Sequence, residues 1–279
     1  MTQTQTAAPA EVLHSANCGF TVHRTGQLEY AFAAEGGQFA VDLVGYLNTS
    51  QHGVITTYLF REVLGRRDRL HWLVHMRSPH DYQRLLQLVD HDRDYQDIAT
   101  LDRLPTKGGG NWERMFVAGT FRERVLLPQH GFGHPPEGAV DPALLFADPA
   151  RYQTAQPVEV QLSTANAGAV VLRTGRARYE LREQARYFGV DWADFVNRAL
   201  PGEVTAFLYE EIFGRQDTLH WLVHLRTLDS WTRLEELART AEYRALMDRQ
   251  RVPDALGGGT WGRLFEPASL HDTMLVPYS

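Results

Sequence analysis

Eleven residues, Gly65-Arg66-Arg67-Asp68-Arg69-Leu70-His71-Trp72-Leu73-Val74-His75, return 149 positions later as Gly214-Arg215-Gln216-Asp217-Thr218-Leu219-His220-Trp221-Leu222-Val223-His224. At this shift, residues 15–130 align with residues 164–279 without a gap, and 37 of the 116 aligned positions are identical. Self-similarity at a fixed spacing indicates one fold that occurs twice in tandem. Residues that both halves share are therefore candidates for structure, and residues that only one half has are candidates for function.

The repeat boundaries predict four segments. These are a disordered tail over 1–14, a first repeat over 15–130, a connector over 131–163 and a second repeat over 164–279. The length of 279 residues also favours two domains, and a repeat of this size is large enough to bury its own core. Within the connector, a proline at position 142 favours a short helix over 142–146.

Composition and charge restrict the possible partners and compartments. The net charge is −6, with 34 acidic and 28 basic residues and no basic patch, which argues against nucleic acid as a partner. The single cysteine excludes an intramolecular disulfide and suits a reducing compartment. We find no signal peptide and no apolar run long enough to span a membrane, so the sequence predicts a cytoplasmic protein. One lysine beside 27 arginines is typical of a GC-rich genome, as in actinobacteria.

Hydrophobic patterning predicts the same six elements in each repeat. In the first repeat the strands are expected over 18–25, 54–64, 70–77 and 122–127, and the helices over 37–51 and 81–98. The order β-α-β-β-α-β is that of a ferredoxin-like α+β fold. Since two helices cover only one face of the four-stranded sheet, we expect the sheet of the second repeat to cover the other face.

This doubled order, with Leu-His-Trp-Leu-Val-His-x-Arg before the second helix, resembles the dimeric α+β barrel superfamily, as in antibiotic-biosynthesis monooxygenases and NIPSNAP-type proteins. The resemblance covers both repeats. It implies two tandem ferredoxin-like repeats that pack sheet to sheet as an intramolecular pseudo-dimeric barrel. The chain is then expected to be a monomer with an internal pseudo-twofold axis, or a weak homodimer. A fold of this kind hosts many chemistries, so the activity has to be argued from the site.

Strand alternation predicts which side chains face the space between the two sheets. Trp72, Val74 and Met76 should meet the helices, while His71, His75 and Arg77 should point inward. A four-residue turn over 65–68 would pair position 64 with position 69. The inward residues of the neighbouring strand then follow as Tyr58 opposite His75, Glu62 opposite His71, and Phe60 between them.

A first hypothesis is a small-molecule enzyme with its site in this inter-sheet space. His-based acid/base chemistry would use His75 with Tyr58, assisted by His71, Glu62 and His23. Substrate contacts would come from Phe60, Arg77, His220, His224 and Glu211. The barrel resemblance implies an oxidative or cyclising step on an aromatic or polyketide-like metabolite, as in bacterial secondary metabolism, without a cofactor. The symmetric alternative is that the Glu–His pairs, Glu62 with His71 and Glu211 with His220, form a buried polar network between the halves.

Two further hypotheses remain open from the sequence. Heme-degrading relatives place an axial histidine on the second helix and an asparagine near the first strand, and this resemblance implies His91 and Asn17 as heme-binding residues. The sequence contains no compact cluster of His, Cys, Asp and Glu residues, so it does not predict a metal site. The third hypothesis is a non-catalytic binding or assembly protein, which a solid core between the sheets would favour.

Overall fold

The computed structural model describes residues 11–129 and 148–279. The strands are β1 (Phe20–Gln27), β2 (Ile55–Val63), β3 (Arg69–Met76), β4 (Arg122–Pro128), β5 (Ala169–Arg176), β6 (Val204–Ile212), β7 (Thr218–Leu225) and β8 (His271–Pro277). The helices are α1 (Ala33–Ser50), α2 (Pro79–His91), α3 (Arg93–Thr100), α4 (Trp112–Met115), α5 (Pro149–Gln153), α6 (Arg182–Ala199), α7 (Ser230–Leu237) and α8 (Ala241–Asp248).

All eight strands form one closed antiparallel barrel in the order β1-β3-β2-β8-β5-β7-β6-β4. The two halves face each other, as expected, but they are also hydrogen-bonded at both edges, through β2 with β8 and β4 with β6. Closure removes every free edge from the sheet. The fold is thus a mixed α+β barrel with helices outside, consistent with the dimeric α+β barrel architecture that the sequence predicts.

Each outer face of the barrel is covered by helices. The predicted alternation in β3 is confirmed there: Trp72, Val74 and Met76 are buried in one cluster with Phe39 and Leu43 of α1. A matching cluster in the second half joins β5, β6 and β7 to α6. Apolar faces of strands and helices are thereby removed from water in both halves, which is the main stabilising contribution to such a layer.

The strand register differs from the sequence-based expectation by two residues. In β2 and β3, Phe60 lies opposite His71 and Thr56 lies opposite His75, so Glu62 and Tyr58 are not the direct partners of these histidines. The last paired residues are Arg61 and Leu70, because the connection is longer than a four-residue turn. A shift of two keeps every side chain on its predicted face. Glu62 and Tyr58 therefore still lie on the same face as His71 and His75, two residues further along β2 than the direct partners.

The second predicted helix of the first half is two helices. The chain turns at Asp92, whose backbone leaves the helical region and whose carboxylate accepts a hydrogen bond from the Tyr95 amide at 2.9 Å. Aspartate is a favoured N-cap residue, so it ends α2 and starts α3 in a new direction.

Several sequence-based expectations concern the ends and the middle of the chain. The helix expected over 142–146 lies outside the described residues, as do residues 1–10 of the expected tail. Residues 11–14 are described, and Leu13 among them is buried, with its amide donating to Thr56 Oγ1 at 3.1 Å. Among the helices of the described residues, none is both long and apolar enough to cross a membrane.

Candidate functional site

The interior of the barrel is filled by side chains from both halves. Apolar residues form its centre, each at most 7% exposed: Ala16, Phe60, Leu73, Leu126, Ala167, Val170, Leu172, Phe207, Tyr209, Leu222 and Leu275. The predicted inward residues His71, His75, His220 and His224 lie among them and are buried. The chamber expected from the sequence is therefore occupied by a packed core, which is the arrangement that the non-catalytic hypothesis expected between the sheets.

Two of these histidines are held by residues of the opposite half. His75 Nε2 lies 2.9 Å from Thr164 Oγ1, and its Nδ1 lies 3.0 Å from Thr21 Oγ1. His224 Nε2 lies 2.7 Å from Ser15 Oγ, and its Nδ1 lies 2.9 Å from the Thr205 carbonyl oxygen. Both ring nitrogens of each histidine are satisfied inside the protein. The geometry gives this pair a structural role at the junction of the halves.

The other histidines lie toward the barrel end from which the β2–β3 connection leaves. His71 Nδ1 lies 3.0 Å from His23 Nε2, and His71 Nε2 lies 3.5 Å from Glu62 Oε2. In the second half, His220 Nε2 lies 3.2 Å from Glu211 Oε2. The Glu211–His220 pair thus forms diagonally across the strands, whereas Glu62 only approaches His71, whose buried Nε2 has no hydrogen-bond partner.

Burial decides the charge of these histidines. A neighbouring carboxylate favours imidazolium, but loss of solvation is the larger effect and lowers the pKa of His71 and of His220 despite their glutamates. Burial also lowers the pKa of His75 and His23 well below the usual range, and the pKa of His224 to about 4. Desolvation penalises the charged form. These imidazoles are neutral at physiological pH.

The remaining predicted residues are scattered. The Tyr58 hydroxyl donates to the Leu13 carbonyl at 3.1 Å, and its ring meets His75 edge-on at 5.6 Å between centroids. Arg77 was expected to face inward but lies beyond β3, exposed and paired with Glu11 at 3.3 Å. The site therefore cannot include its guanidinium.

The two residues implied by the heme resemblance lie apart from any cavity lining described below. Asn17 accepts from the His14 amide at 2.7 Å and donates to the Val12 carbonyl at 3.1 Å, so its amide fixes a local turn. His91 is exposed at the last position of α2.

A cavity of about 650 Å³ lies in the first half, between the outer face of the sheet and the helices. Its volume is within the range of small-molecule sites. Its wall is mostly aromatic and aliphatic, with a small polar group at one side: Arg24, Phe39, Leu43, Trp72, Tyr82, Leu86, Val89, Tyr95, Gln96, Ala99, Thr100, Trp112, Phe121, Arg122 and Glu123. A narrow recess continues inward from it past Leu43 toward Val74.

Three side chains form the polar group of this cavity. Arg24 on β1 donates from Nε to Glu123 Oε1 at 2.6 Å, and the Tyr82 hydroxyl donates to Glu123 Oε2 at 2.8 Å. Burial raises the pKa of Tyr82, and its bond to the Glu123 carboxylate raises it further. The phenol is therefore protonated, and its one proton is donated to a carboxylate that the Arg24 guanidinium also holds.

The second half has a smaller cavity of about 410 Å³ at the equivalent place. Position 192, a tryptophan where the first half has Leu43, reaches across it. The Trp192 indole donates to the Tyr243 hydroxyl at 3.1 Å, and the Arg173 guanidinium lies over its ring at 4.9 Å. Trp192 thus bridges β5 and α8. The first half has no such bridge at Leu43, which keeps its cavity deep.

The donor set of the larger cavity does not fit a histidine-ligated heme or a metal ion. No histidine is among its lining residues, and no group of three or more His, Cys, Asp or Glu side chains in residues 11–129 and 148–279 is placed to hold a metal. His271 lines the smaller cavity, exposed, with Nδ1 3.2 Å from the Ser269 carbonyl oxygen.

Sequence reasoning missed the polar group of the larger cavity. Arg24 was recognised only as a shared residue, since its counterpart is Arg173. Tyr82 carried a signal, because its counterpart is Trp231 and residues that differ between the halves are the candidates for function. Glu123 follows at the start of β4, where an exposed acidic residue carries no distinctive pattern.

Solved structures share this fold over nearly the whole chain. One, from Fusobacterium nucleatum and provisionally described as a monooxygenase, is 7% identical with a TM-score of 0.57 and covers 94% of each chain. Another provisional monooxygenase, from Lactobacillus acidophilus, is 7% identical with a TM-score of 0.53 and covers 93% of this chain and 94% of its own. A heme-binding protein from Thermus thermophilus is 14% identical with a TM-score of 0.50 and covers 97% of this chain and 94% of its own.

Sequence identities of 7–14% to these structures support a shared fold only, so the chemistry has to be argued from the site itself. No curated protein matches the sequence. A family model matches residues 1–279, and the chain therefore belongs to DUF6039, a family of unknown function.

Proposed function

We propose that this protein is a small-molecule enzyme that binds a flat, aromatic or polyketide-like substrate in the first-half cavity and carries out an oxidative step on it. One observation carries the proposal: the cavity of about 650 Å³ combines an aromatic wall with the Tyr82–Glu123–Arg24 group. Apolar pockets with a few convergent polar groups are the usual form of a small-molecule site. The site thus differs from the inter-sheet position that the sequence favoured.

The aromatic wall accounts for the class of substrate. Trp72, Trp112 and Phe121 lie close to one another around it, with ring centroids 5.6 Å apart for Trp112 and Phe121 and 6.1 Å apart for Trp72 and Phe121. Aromatic rings favour planar partners through stacking and edge contacts. A fused-ring substrate would fill such a space with little loss of conformational entropy.

The polar group accounts for the chemistry. On substrate binding the Tyr82 hydroxyl would turn from Glu123 and donate its one proton to a substrate carbonyl or phenol oxygen, and Arg24 would stabilise negative charge that develops there. Glu123, held between the two, would accept the proton that an acidic substrate loses. The electron-rich substrate anion would then bond to dioxygen and, after protonation, give a hydroperoxide that loses water to leave a new carbonyl, so one oxygen atom enters the substrate and the other leaves as water. The barrel resemblance implies a reaction of this type for a site without a cofactor. The monooxygenase descriptions of the two structural neighbours favour an oxidative reaction over a cyclisation.

Heme binding is the second candidate, favoured by the likeness to the Thermus thermophilus protein. The lining of the larger cavity argues against a histidine ligand there. Absorbance of the purified protein during titration with hemin discriminates the proposed cofactor-free enzyme from a heme-binding protein. For the cofactor-free enzyme we expect no shift of the Soret band. A stoichiometric Soret band would support the heme candidate.

The two halves of the barrel also support a finer proposal about architecture, that the chain is a tandem pair of ferredoxin-like units. Strands pair as β4-β1-β3-β2 in the first half and as β8-β5-β7-β6 in the second. The matching orders and the 149-residue sequence shift both support it. The segments 15–130 and 164–279 would be the two units.

The experiment uses 1-hydroxypyrene, a fluorescent flat phenol, as a binding probe. We expect one equivalent to bind to the whole protein and to quench tryptophan fluorescence. Tyr82→Phe, which keeps the ring and removes the donor, should weaken binding by about tenfold. No binding to the wild-type protein would overturn the proposal for this class of ligand.

A matched pair of variants separates the two possible sites. Once a turned-over substrate is found by screening polycyclic phenols under air, Glu123→Gln should lower kcat by about a hundredfold or more. His75→Gln should leave kcat unchanged in protein that remains folded, because His75 lies in the packed core. An unchanged kcat for Glu123→Gln together with a lowered kcat for His75→Gln would instead place the active site at the histidines between the sheets.

A further inference from the structure

Four exposed apolar or aromatic side chains surround one end of the barrel. Leu64 is 99% exposed, Phe213 86%, Tyr30 74% and Tyr179 69%, and they are four of the five most exposed large hydrophobic residues in the described part of the chain. Leu64 and Phe213 occupy equivalent positions in the halves, as do Tyr30 and Tyr179. We call these four residues the apolar crown.

The strand directions place all four at the same end. The β2–β3 connection carries Leu64, and the β6–β7 connection carries Phe213. Gln27 at the end of β1 pairs with Arg69 at the start of β3, so the Tyr30 turn lies beside the Leu64 connection. Arg176 pairs with Thr218 in the same way. Because neighbouring strands are antiparallel around the whole barrel, β2 and β6 run in the same direction and end together.

The exposure is built into the backbone. Leu64 and Phe213 have φ values of 57° and 55°, a conformation that bulky residues rarely adopt. Each connection is fixed by a glutamate: Glu62 accepts from the Arg66 amide at 2.7 Å, and Glu211 accepts from the Arg215 amide at 2.9 Å. Both halves therefore hold an apolar side chain in water in the same strained position. A purely structural loop has no need of an apolar residue there.

The size of the crown fits a protein interface. Side chains of this kind each cover roughly 150–250 Å², so four of them present on the order of 600 Å² in all. A standard interface buries about 800 Å² per partner. The crown thus supplies most of the apolar area that one side of a stable interface needs.

Its pattern is complementary to itself. Around the barrel end, the order of strands makes tyrosine turns alternate with connection tips. Arg66 and Arg215 follow the tips, exposed Glu29 precedes Tyr30, and Tyr179 lies between Arg178 and Glu180 with the Arg182 guanidinium over its ring. A cleft of about 400 Å³ also lies beside the Leu64 connection, between it and the start of α1. A second copy that faces this end can set its tips against the turns and an apolar side chain into the cleft.

We propose that the apolar crown is a self-association surface, through which two copies of this chain stack barrel end to barrel end about a twofold axis. Such a contact is isologous, since the same patch is used on both sides. Arg66 of one copy then lies over Glu29 of the other, so charge complementarity favours setting the Leu64 tip against the Tyr30 turn.

Sedimentation velocity and light scattering of the full chain test the proposal over about a hundredfold range of concentration. We expect a monomer–dimer equilibrium in the wild type. The double variant Leu64→Ser/Phe213→Ser should weaken the dimer by at least about a hundredfold. Val158→Ser is the matched control, because Val158 is equally exposed, at 78%, but does not belong to the crown; it should leave the equilibrium unchanged.

Site-specific cross-linking adds a second readout. The native Cys18 is buried, so a cysteine introduced as Phe213→Cys is the accessible thiol among the described residues. A short bismaleimide should give covalent dimers with Phe213→Cys and none with Val158→Cys. A wild type that stays monomeric, or a dimer that survives the double serine variant, overturns the proposal. Sedimentation of a monomer with phosphatidylglycerol vesicles would overturn it in favour of a membrane surface.

Discussion

Ser15 and Thr164 exchange two hydrogen bonds although 149 positions separate them. The Ser15 amide donates to Thr164 Oγ1 at 3.2 Å, and the Thr164 amide donates to Ser15 Oγ at 3.0 Å. They occupy equivalent positions at the 149-residue sequence shift, so their contact joins the two halves at corresponding points of the barrel interior. Each hydroxyl also reaches a histidine of the opposite half. The junction is thus a closed, reciprocal polar network.

Breaking this network should destabilise the whole barrel. We expect Ser15→Ala and Thr164→Val each to lower the free energy of unfolding by about 1–3 kcal/mol, because each leaves a buried amide and a buried imidazole without a partner. The double variant removes both mutual bonds and both histidine contacts, and because the two residues touch, its cost should depart from the sum of the two by about 0.5 kcal/mol or more. Urea unfolding measures this. Thr49→Ala, which removes an exposed helix hydroxyl, serves as the control and should change stability little.

Acid should unfold the protein through its buried histidines. Burial lowers the pKa of His224 to about 4 from a usual value of 6.5. The unfolded chain therefore takes up protons first as the pH falls. Stability is full above about pH 6.5 and is lost progressively toward pH 4, by about 3 kcal/mol for His224 alone. His75 and His23 act in the same direction.

Thermal or urea unfolding between pH 4 and pH 7 tests this dependence. His224→Gln should flatten the profile, at a cost in stability near neutral pH. His52→Gln, a change in an exposed loop, should not alter its slope. A wild-type stability that is constant over this range would contradict the neutral state of the buried imidazoles.

Position 43 and its equivalent 192 should set the depth of the two cavities. Leu43→Trp places in the first half the residue that bridges sheet and helix in the second, and it should abolish probe binding there. Trp192→Leu should open the second cavity and raise the binding stoichiometry from one to two. Xenon-pressurised crystals report the same cavities without any probe, so a failed probe and a wrong cavity assignment give different results.

A side chain at position 65 should displace the Glu62 carboxyl. An added Cβ would collide with the Glu62 carboxyl that fixes the connection, and Gly214 stands in the same relation to Glu211. We expect Gly65→Ala to destabilise the protein by about 1–3 kcal/mol and Glu62→Ala to relieve part of that loss. Gly45→Ala is the matched control, because nothing lies near its Cβ position in α1. It should stabilise the protein by about 0.5–1 kcal/mol. Equal changes in the free energy of unfolding for Gly65→Ala and Gly45→Ala would contradict the role of Glu62 in fixing the connection.

Much of the architecture was predictable because local patterns determine it. The alternation in β3 fixed which face meets the helices, and the internal repeat fixed the element order in both halves. The register could not be predicted, since it depends on a connection whose tip adopts a positive φ at Leu64, a residue that carries no such signal in sequence. The break at Asp92 was also missed, because the amphipathic pattern continues across it.

By itself, the sequence determined the α+β class, the internal sequence repeat and the inward orientation of His71, His75, His220 and His224. Only the tertiary structure decided what those inward residues do. The alternation of residues along a strand predicts on which face of the sheet a side chain lies. The space left for a ligand depends instead on how side chains from distant segments pack together. His75 meets Thr164 in a closed core, whereas Tyr82, Glu123 and Arg24 come from three separate elements and meet at an open cavity.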